Sequence, residues 1–171
     1  MKLYLIGLPG SGKSTLGKKL AGELSIPFID LDHAIEQESG KSVAAIFSEH
    51  GEEYFRSLEA VALRQQSKSA EFVMACGGGT PCFHDNMPFM NASGRTVFLN
   101  VPVSEILKRF MLTREHSLRP LLNESDPEKL TGKLEDLLAK RLPFYTQAEI
   151  TLSGLQSPAE ILAELKRKSN G

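Results

Sequence analysis

Apolar residues along the chain fall into two alternating kinds of segment. Short runs of strand length stand at Lys2 to Ile6, Pro27 to Asp30, Glu71 to Ala75, Thr96 to Val101 and Glu149 to Leu152. Elsewhere apolar residues recur at helical spacing, as Leu16, Leu20, Ala21 and Leu24 do within Lys13 to Leu24. The same period predicts helices over Asp32 to Glu38, Gly51 to Ser67, Val103 to Met111, Glu128 to Leu142 and Pro158 to Lys168. Ser157-Pro158 reads as an N-cap followed by proline in the first helical position. Strands alternating with helices predict an α/β domain on a mostly parallel sheet. With no internal repeat, low-complexity tract or linker, residues 1–171 are expected to form a single domain.

Two segments fit the alternation poorly. Leu31 to Ser69 is helix-like throughout, with no strand in it. Met111 to Asp126 is polar and mixed. Insertions after strands are where substrate platforms and mobile lids tend to sit in α/β enzymes. Composition adds mainly exclusions. Apolar residues are 41% and charged residues 24%, ordinary for a globular domain. Twenty Lys+Arg against 21 Asp+Glu leave a net charge of -1. No global basic field is present to hold nucleic acid or an anionic membrane. No apolar run approaches the ~20 residues of a membrane span, and the N-terminus lacks the pattern of a signal peptide, so a cytoplasmic location is expected. Cys76 and Cys82 match no common zinc spacing. His33, His50, His84 and His116 form no cluster in the sequence.

The strongest chemical signal is Gly7-Leu8-Pro9-Gly10-Ser11-Gly12-Lys13-Ser14-Thr15, a G-x-x-x-x-G-K-[ST] loop between a predicted strand and a predicted helix. Glycines let the backbone turn so that several N–H groups converge on phosphate oxygens, and the helix start directs its dipole at the same point. Lys13 can reach the β- and γ-phosphates, and the Ser14 hydroxyl can ligate Mg²⁺. The chain has no N-K-x-D to read guanine and no acid at the end of Phe72-Val73-Met74-Ala75, where a Walker-B Asp would stand. That leaves a small-molecule kinase, which needs a metal site, an acceptor cage and cations for the transferring phosphoryl group. Asp30 and Asp32 end a predicted strand at the carboxyl edge of the sheet, where ligands bind in open α/β folds. Arg56 and Glu59 share a helix face. Gly77-Gly78-Gly79 offers bare backbone and close approach. Each has a plainer reading: Asp30 as a turn residue, Asp32 as a helix N-cap, Arg56–Glu59 as a surface pair, the glycines as a turn. Phe47 and Phe55 read as packing residues.

Taken in order, these segments resemble the shikimate kinase family over nearly the whole chain. The matching residues are Gly7 to Thr15; Asp30-x-Asp32 with Ile35-Glu36 and Gly40; Ile46-Phe47 with Gly51-Glu52 and Phe55-Arg56-x-x-Glu59; Gly77-Gly78-Gly79; Arg119-Pro120-Leu121-Leu122; and Arg141-x-Pro143-x-Tyr145. The resemblance implies the three-layer fold of the nucleoside monophosphate kinases: a five-stranded parallel sheet in the order 2-3-1-4-5 with helices on both faces. It implies transfer of the ATP γ-phosphoryl to the 3-hydroxyl of shikimate, on the route to chorismate and aromatic amino acids. Asp32, Arg56, Gly78 and Arg141 match shikimate-binding positions, with Gly77 and Gly79 beside them. Lys13 and Arg119 match phosphate-handling cations, Arg119 on a lid expected over 112–125; residues 31–69 match the substrate-binding insertion. Gly10, Ser11, Gly12, Lys13, Ser14 and Thr15 match the nucleotide loop. Ser14 matches a direct Mg²⁺ ligand and Asp30 a ligand through water. Arg109 or Arg114 meets adenine, and Gln156 stands in for a late nucleotide contact.

The residue chemistry fits: Arg56 and Arg141 can hold a carboxylate, Glu59 can fix Arg56, and Asp32 can orient the reacting hydroxyl and take its proton. The expected partners are ATP and shikimate, and the expected state is a monomer. A kinase for another polyol acid such as gluconate, or a nucleotide-binding regulatory module without turnover, are the competing readings.

Overall fold

The structure is a computed structural model in which residues 1–113, 120–154 and 157–169 are described. Five strands form one sheet: β1 (Lys2–Ile6), β2 (Phe28–Asp30), β3 (Phe72–Ala75), β4 (Arg95–Asn100) and β5 (Ile150–Ser153). Their order is β2-β3-β1-β4-β5 and every pairing is parallel, as expected. Leu3 lies opposite Val73 on one side and Arg95 on the other, so all strands end at the same edge. The sheet alternation splits the core into two layers. Tyr4, Ile6, Met74 and Phe98 face one layer, while Leu3, Leu5, Val73 and Val97 face the other.

Helices cover both faces. They are α1 (Lys13–Leu24), α2 (Leu31–Ser39), α3 (Val43–Gln66), α4 (Asn86–Ser93), α5 (Val103–Thr113), α6 (Pro127–Tyr145) and α7 (Pro158–Ser169). Helices α1 and α7 supply Leu16, Leu20, Ile161 and Leu165 to one layer. The other layer takes Leu31, Ile46, Leu63, Met90, Phe110 and Leu134 from α2 to α6. At Gly17 of α1 a Cβ would stand 2.7 Å from the Phe28 ring, so glycine there lets the helix lie close on the sheet.

Most element ends differ from the sequence reading by a residue or two, as helix and strand ends commonly do, and α6 runs three residues past the expected Leu142 to Tyr145. Two differences are larger. The predicted helix from Gly51 begins instead at Val43, capped by the Ser42 side chain, and the Glu36 carboxylate accepts the Val43 N–H at 2.9 Å. It bends at Gly51, whose φ of 81 and ψ of 176 no helix contains. Helix α4 was not expected at all. It is short and starts from Asp85 in a left-handed conformation without a side-chain cap, so neither periodicity nor a cap marks it in the sequence.

Candidate active site

The carboxyl ends of β1, β2 and β3 open onto a cleft of about 970 Å³ whose lining runs from the Gly7–Ser14 loop to Arg141. On its nucleotide side, Gly10 holds φ 80 and packs against Phe110 and Ile106 of α5, which would meet any Cβ there at 2.6 and 2.9 Å. Gly12, at φ 92, starts α1 and brings no side-chain cap. The first N–H groups of α1 therefore face the loop, an arrangement suited to anions. Lys13 is buried and its Nζ donates to the carbonyls of Gly7 at 2.9 Å and Leu8 at 2.8 Å, bracing the loop from within. Ser11 is buried beneath it, while Ser14 and Thr15 are exposed at the helix start. Arg109 Nη1 donates to the Gly10 carbonyl at 2.9 Å, which puts this cation on the outer wall of the same loop.

Ser14 Oγ donates to Asp30 Oδ2 at 2.7 Å. Asp30, not Asp32, is the N-cap of α2, accepting the His33 N–H. This corrects the plainer reading of Asp32 as the cap. Asp32 sits in the first turn of α2 instead and lines the cleft. Its Oδ1 lies 3.2 Å from where a Gly77 Cβ would stand.

The opposite end of the cleft is a wall of charged side chains. Arg56 is 4% exposed and its Nη1 donates to Glu59 Oε2 at 2.9 Å. Its Nε and Nη2 both donate to Glu52 Oε1, at 3.2 and 3.0 Å. Among the described residues these bonds use three of the five guanidinium N–H donors and leave two, enough to grip a carboxylate. Burial works against the charged form, but the Glu59 and Glu52 carboxylates outweigh it and hold the Arg56 pKa above its ordinary value. The pair is therefore no surface i,i+3 couple: Glu59 is fully buried. Phe47 and Phe55 pack on each other with ring centres 4.7 Å apart, and the guanidinium lies over both. They pack as expected and also hem in Arg56.

The three glycines are needed for space rather than for unusual torsions. A Cβ on Gly77 would meet Glu59 Oε1 at 2.7 Å, and one on Gly78 would meet Arg141 Nη1 and Pro9 Cδ, both at 2.8 Å. A Cβ on Gly79 would fall within the Arg56 guanidinium. Each glycine admits a different charged group. Arg141 is 6% exposed, and among the described residues its Nη1 is a buried side-chain nitrogen with no hydrogen-bond partner. Tyr145, one turn further along α6, donates to the Gly78 carbonyl at 2.5 Å. Burial pushes its phenol well above the ordinary range, with Arg141 pulling partly against it, so the hydroxyl stays a donor.

The site thus gathers Gly10, Ser11, Gly12, Lys13, Ser14, Asp30, Asp32, Arg56, Glu59, the three glycines, Arg109 and Arg141 around one cleft. Arg114, Arg119 and Gln156 lie outside the described residues, as do residues 114–119 of the expected lid. Sequence reasoning assigned no role to Glu52, Thr80, Phe83 or Tyr145. Glu52 stands four residues before Arg56 and Tyr145 four after Arg141, spacings that could have revealed both; Thr80 and Phe83 arrive from a distant segment.

The shikimate kinase family model matches residues 9–169. The chain belongs to the shikimate kinase family. It is 45% identical to a shikimate kinase of Parabacteroides distasonis over 88% of this chain and 86% of that protein. It is 36% identical to one of Aquifex aeolicus over 96% of this chain and 94% of that protein. Among solved structures, a shikimate kinase of Bacteroides thetaiotaomicron superposes with a TM-score of 0.86 at 39% identity, over 99% of this chain and 97% of that one. A shikimate kinase of Acinetobacter baumannii in complex with shikimate superposes at 0.84 with 37% identity, over 98% of this chain and 90% of that one. A gluconokinase of Sinorhizobium meliloti shares the fold alone, at 18% identity and a TM-score of 0.57.

Proposed function

We infer that the chain transfers the γ-phosphoryl of ATP to the 3-hydroxyl of shikimate, giving shikimate 3-phosphate and ADP for aromatic amino acid biosynthesis, with Asp32, Arg56, Gly78 and Arg141 holding the acceptor. The observation that carries the acceptor assignment is the buried Arg141 Nη1, without a hydrogen-bond partner among the described residues and close to the glycine turn that Arg56 also borders. A buried cation with an unmet donor is costly unless a ligand completes it. A carboxylate is the complement of two such arginines. Nucleotide phosphates bind at the Gly10–Thr15 loop and the α1 N-terminus. There Lys13 exchanges its loop carbonyls for phosphate oxygens, and Arg119 adds a second cation.

Ser14 Oγ and Asp30 Oδ2 supply the hard oxygen donors that Mg²⁺ takes. When bound, Mg²⁺ offsets charge on the phosphate oxygens. Among the described residues no three His, Cys, Asp or Glu side chains cluster as a cage, which suits an ion held largely by phosphate and water. Asp32 accepts a bond from the reacting hydroxyl, aligns it and receives its proton. Among the described residues no helix is long and apolar enough to cross a membrane, and the cytoplasm is the assigned location.

The test is a coupled assay of ADP release with ATP and Mg²⁺, run with shikimate, with gluconate and with no acceptor. Release that depends on shikimate and on Arg141 is the expected result. Equal release with gluconate, or release independent of any acceptor, overturns the reading.

A further inference from the structure

The segment that follows the triple glycine is bound to α3 more tightly than a connecting turn requires. Thr80 is fully buried, and its Oγ1 donates to Glu59 Oε1 at 2.5 Å, on the carboxylate whose other oxygen holds Arg56. The Thr80 carbonyl accepts from Asn86 Nδ2 at 2.9 Å, and Asn86 is also fully buried. Asn86 Oδ1 in turn accepts from Arg64 Nη1 at 2.7 Å, and Arg64 Nη2 donates to the His84 carbonyl at 2.9 Å. Arg64 therefore clamps a turn in which both His84 (φ 50) and Asp85 (φ 53) take the left-handed conformation. Such residues are uncommon outside glycine and persist where the surroundings hold them. The clamped turn carries Phe83, whose ring faces the Arg56 guanidinium with its centre 4.7 Å away, closer than Phe55 or Phe47. Phe83 is 37% exposed, so core packing alone does not explain its placement.

We propose that Thr80 and Phe83 are positioning residues for Arg56, and that the Arg64–Asn86 clamp across the strained turn sets where both stand. Thr80 fixes the Glu59 carboxylate in the orientation that draws Arg56 Nη1. Phe83 covers the guanidinium face and holds it in plane. Acceptor affinity then depends on a turn that belongs to neither ligand. This inference rests on Arg56 being the acceptor-carboxylate residue, and the test separates the two.

Thr80→Val removes the hydroxyl and keeps the shape; Thr80→Ser restores the donor. Phe83→Leu keeps an apolar side chain and removes the ring face; Phe83→Tyr keeps the ring. Steady-state kinetics are measured for both substrates, with thermal melting alongside. Ile161→Val, in the opposite core layer, serves as a stability-lowering control. The expected result for Thr80→Val is a rise of about tenfold in the shikimate KM with the ATP KM unchanged, and recovery in Thr80→Ser. For Phe83→Leu a rise of about fivefold is expected, the size of a partly desolvated cation–π contact, with recovery in Phe83→Tyr. A purely structural role would lower the melting temperature, as the control does, without moving the shikimate KM, and would overturn the proposal. So would equal shifts for both substrates. If Thr80→Val does not fold, the exposed Phe83 pair decides. Arg56→Ala is run in parallel: an unchanged shikimate KM there refutes the acceptor assignment itself, whereas a raised KM there with unmoved Thr80 and Phe83 variants refutes only the positioning chain.

Discussion

Replacing Gly79 by alanine adds one methyl group where the acceptor wall is tightest. The new Cβ would stand 2.5 Å from Arg56 Cζ and 2.7 Å from its Nη1. Carbons in contact prefer about 3.5–4.0 Å, so the guanidinium must retreat by about 1 Å. It has little room to do so. Glu59 and Glu52 hold it at 2.9 to 3.2 Å, and phenylalanine rings lie against it. A retreat of that size carries the Arg56–Glu59 contact beyond hydrogen-bond range unless Glu59 follows. Glu59 is fully buried and tied to Thr80, so it does not follow. A hydrogen bond to a charged group contributes about 1.5–3 kcal/mol. At about 1.4 kcal/mol per tenfold change, shikimate should bind roughly ten- to a hundredfold more weakly to Gly79→Ala. Overpacking should also lower global stability by about 1–3 kcal/mol. ADP, held at the other end of the cleft, should bind within about twofold of the parent, as distant and independent sites do. Calorimetric titration of each ligand and a urea unfolding curve give all three quantities. A folded Gly79→Ala protein that binds shikimate as tightly as the parent would refute the reasoning, because the guanidinium would then have an unstrained alternative position.

Other expectations rest on the roles proposed above. Lys13→Ala and Arg119→Ala should each cut kcat far more than they weaken shikimate binding, because a cation on the transferring phosphoryl group acts where charge redistributes in the transition state; unchanged turnover in either variant removes its role. Arg56→Lys should weaken shikimate by at least about tenfold with ATP little altered, because an ammonium cannot serve Glu52, Glu59 and a carboxylate at once; equal weakening of both ligands points to misfolding instead. The Cys82 thiol is pushed up to about 11 by burial, with Arg141 and Arg56 pulling against it. Its thiolate is therefore scarce at neutral pH, and alkylation by iodoacetamide should be slow at pH 8 and accelerate as the pH approaches 11; fast modification at pH 8, read by mass spectrometry, would contradict the raised thiol at this half-buried position.

What was legible in the sequence was what depends on neighbours along the chain. The phosphate loop is contiguous, and its strand–loop–helix context is local, so residues 7 to 15 could be read directly. Arg56 and Glu59 are one helical turn apart, and their pairing needs no tertiary knowledge. The parallel sheet followed from alternation, and its strand order came from resemblance rather than from the pattern. The triple glycine was read for close ligand approach and bare N–H groups; the structure adds a demand for space from Glu59, Arg141 and Arg56, side chains supplied by two other helices, which the sequence does not show. Thr80, Phe83 and the Arg64 clamp were invisible for the same reason. Their partners lie about one helix or more away in sequence, and a threonine or phenylalanine carries no sign of what it will touch. Helix α4 was missed because its strained start and lack of a cap are tolerated only through the Arg64 and Asn86 contacts, which are tertiary.

The two ends of the cleft are built by different means, and this governs how each fails. The end formed by the glycine loop is mainly backbone: loop carbonyls hold Lys13, and Gly12 starts α1 with no side-chain cap. Replacing Lys13 or Arg109 there removes a cation together with its bonds to the loop carbonyls, and the acceptor arginines stay in place, so losses should fall on turnover. The acceptor end is mainly side chain: Arg56 is located by Glu52, Glu59 and aromatic rings, and Arg141 by the glycine turn it presses on. No backbone group fixes either guanidinium directly through the bonds described, so a small change in any neighbour moves the donors that meet the carboxylate. A bond aligned at 2.9 Å weakens steeply when displaced by half an ångström. Variation at the acceptor end should therefore appear first in shikimate affinity and only later in kcat, whereas variation in the loop should appear in the reverse order. The interface between the two ends is narrow: Pro9 of the loop meets the space above Gly78. A side chain added at Gly78 strikes Pro9 and Arg141 together, which makes it the one glycine of the three whose replacement should disturb both substrates.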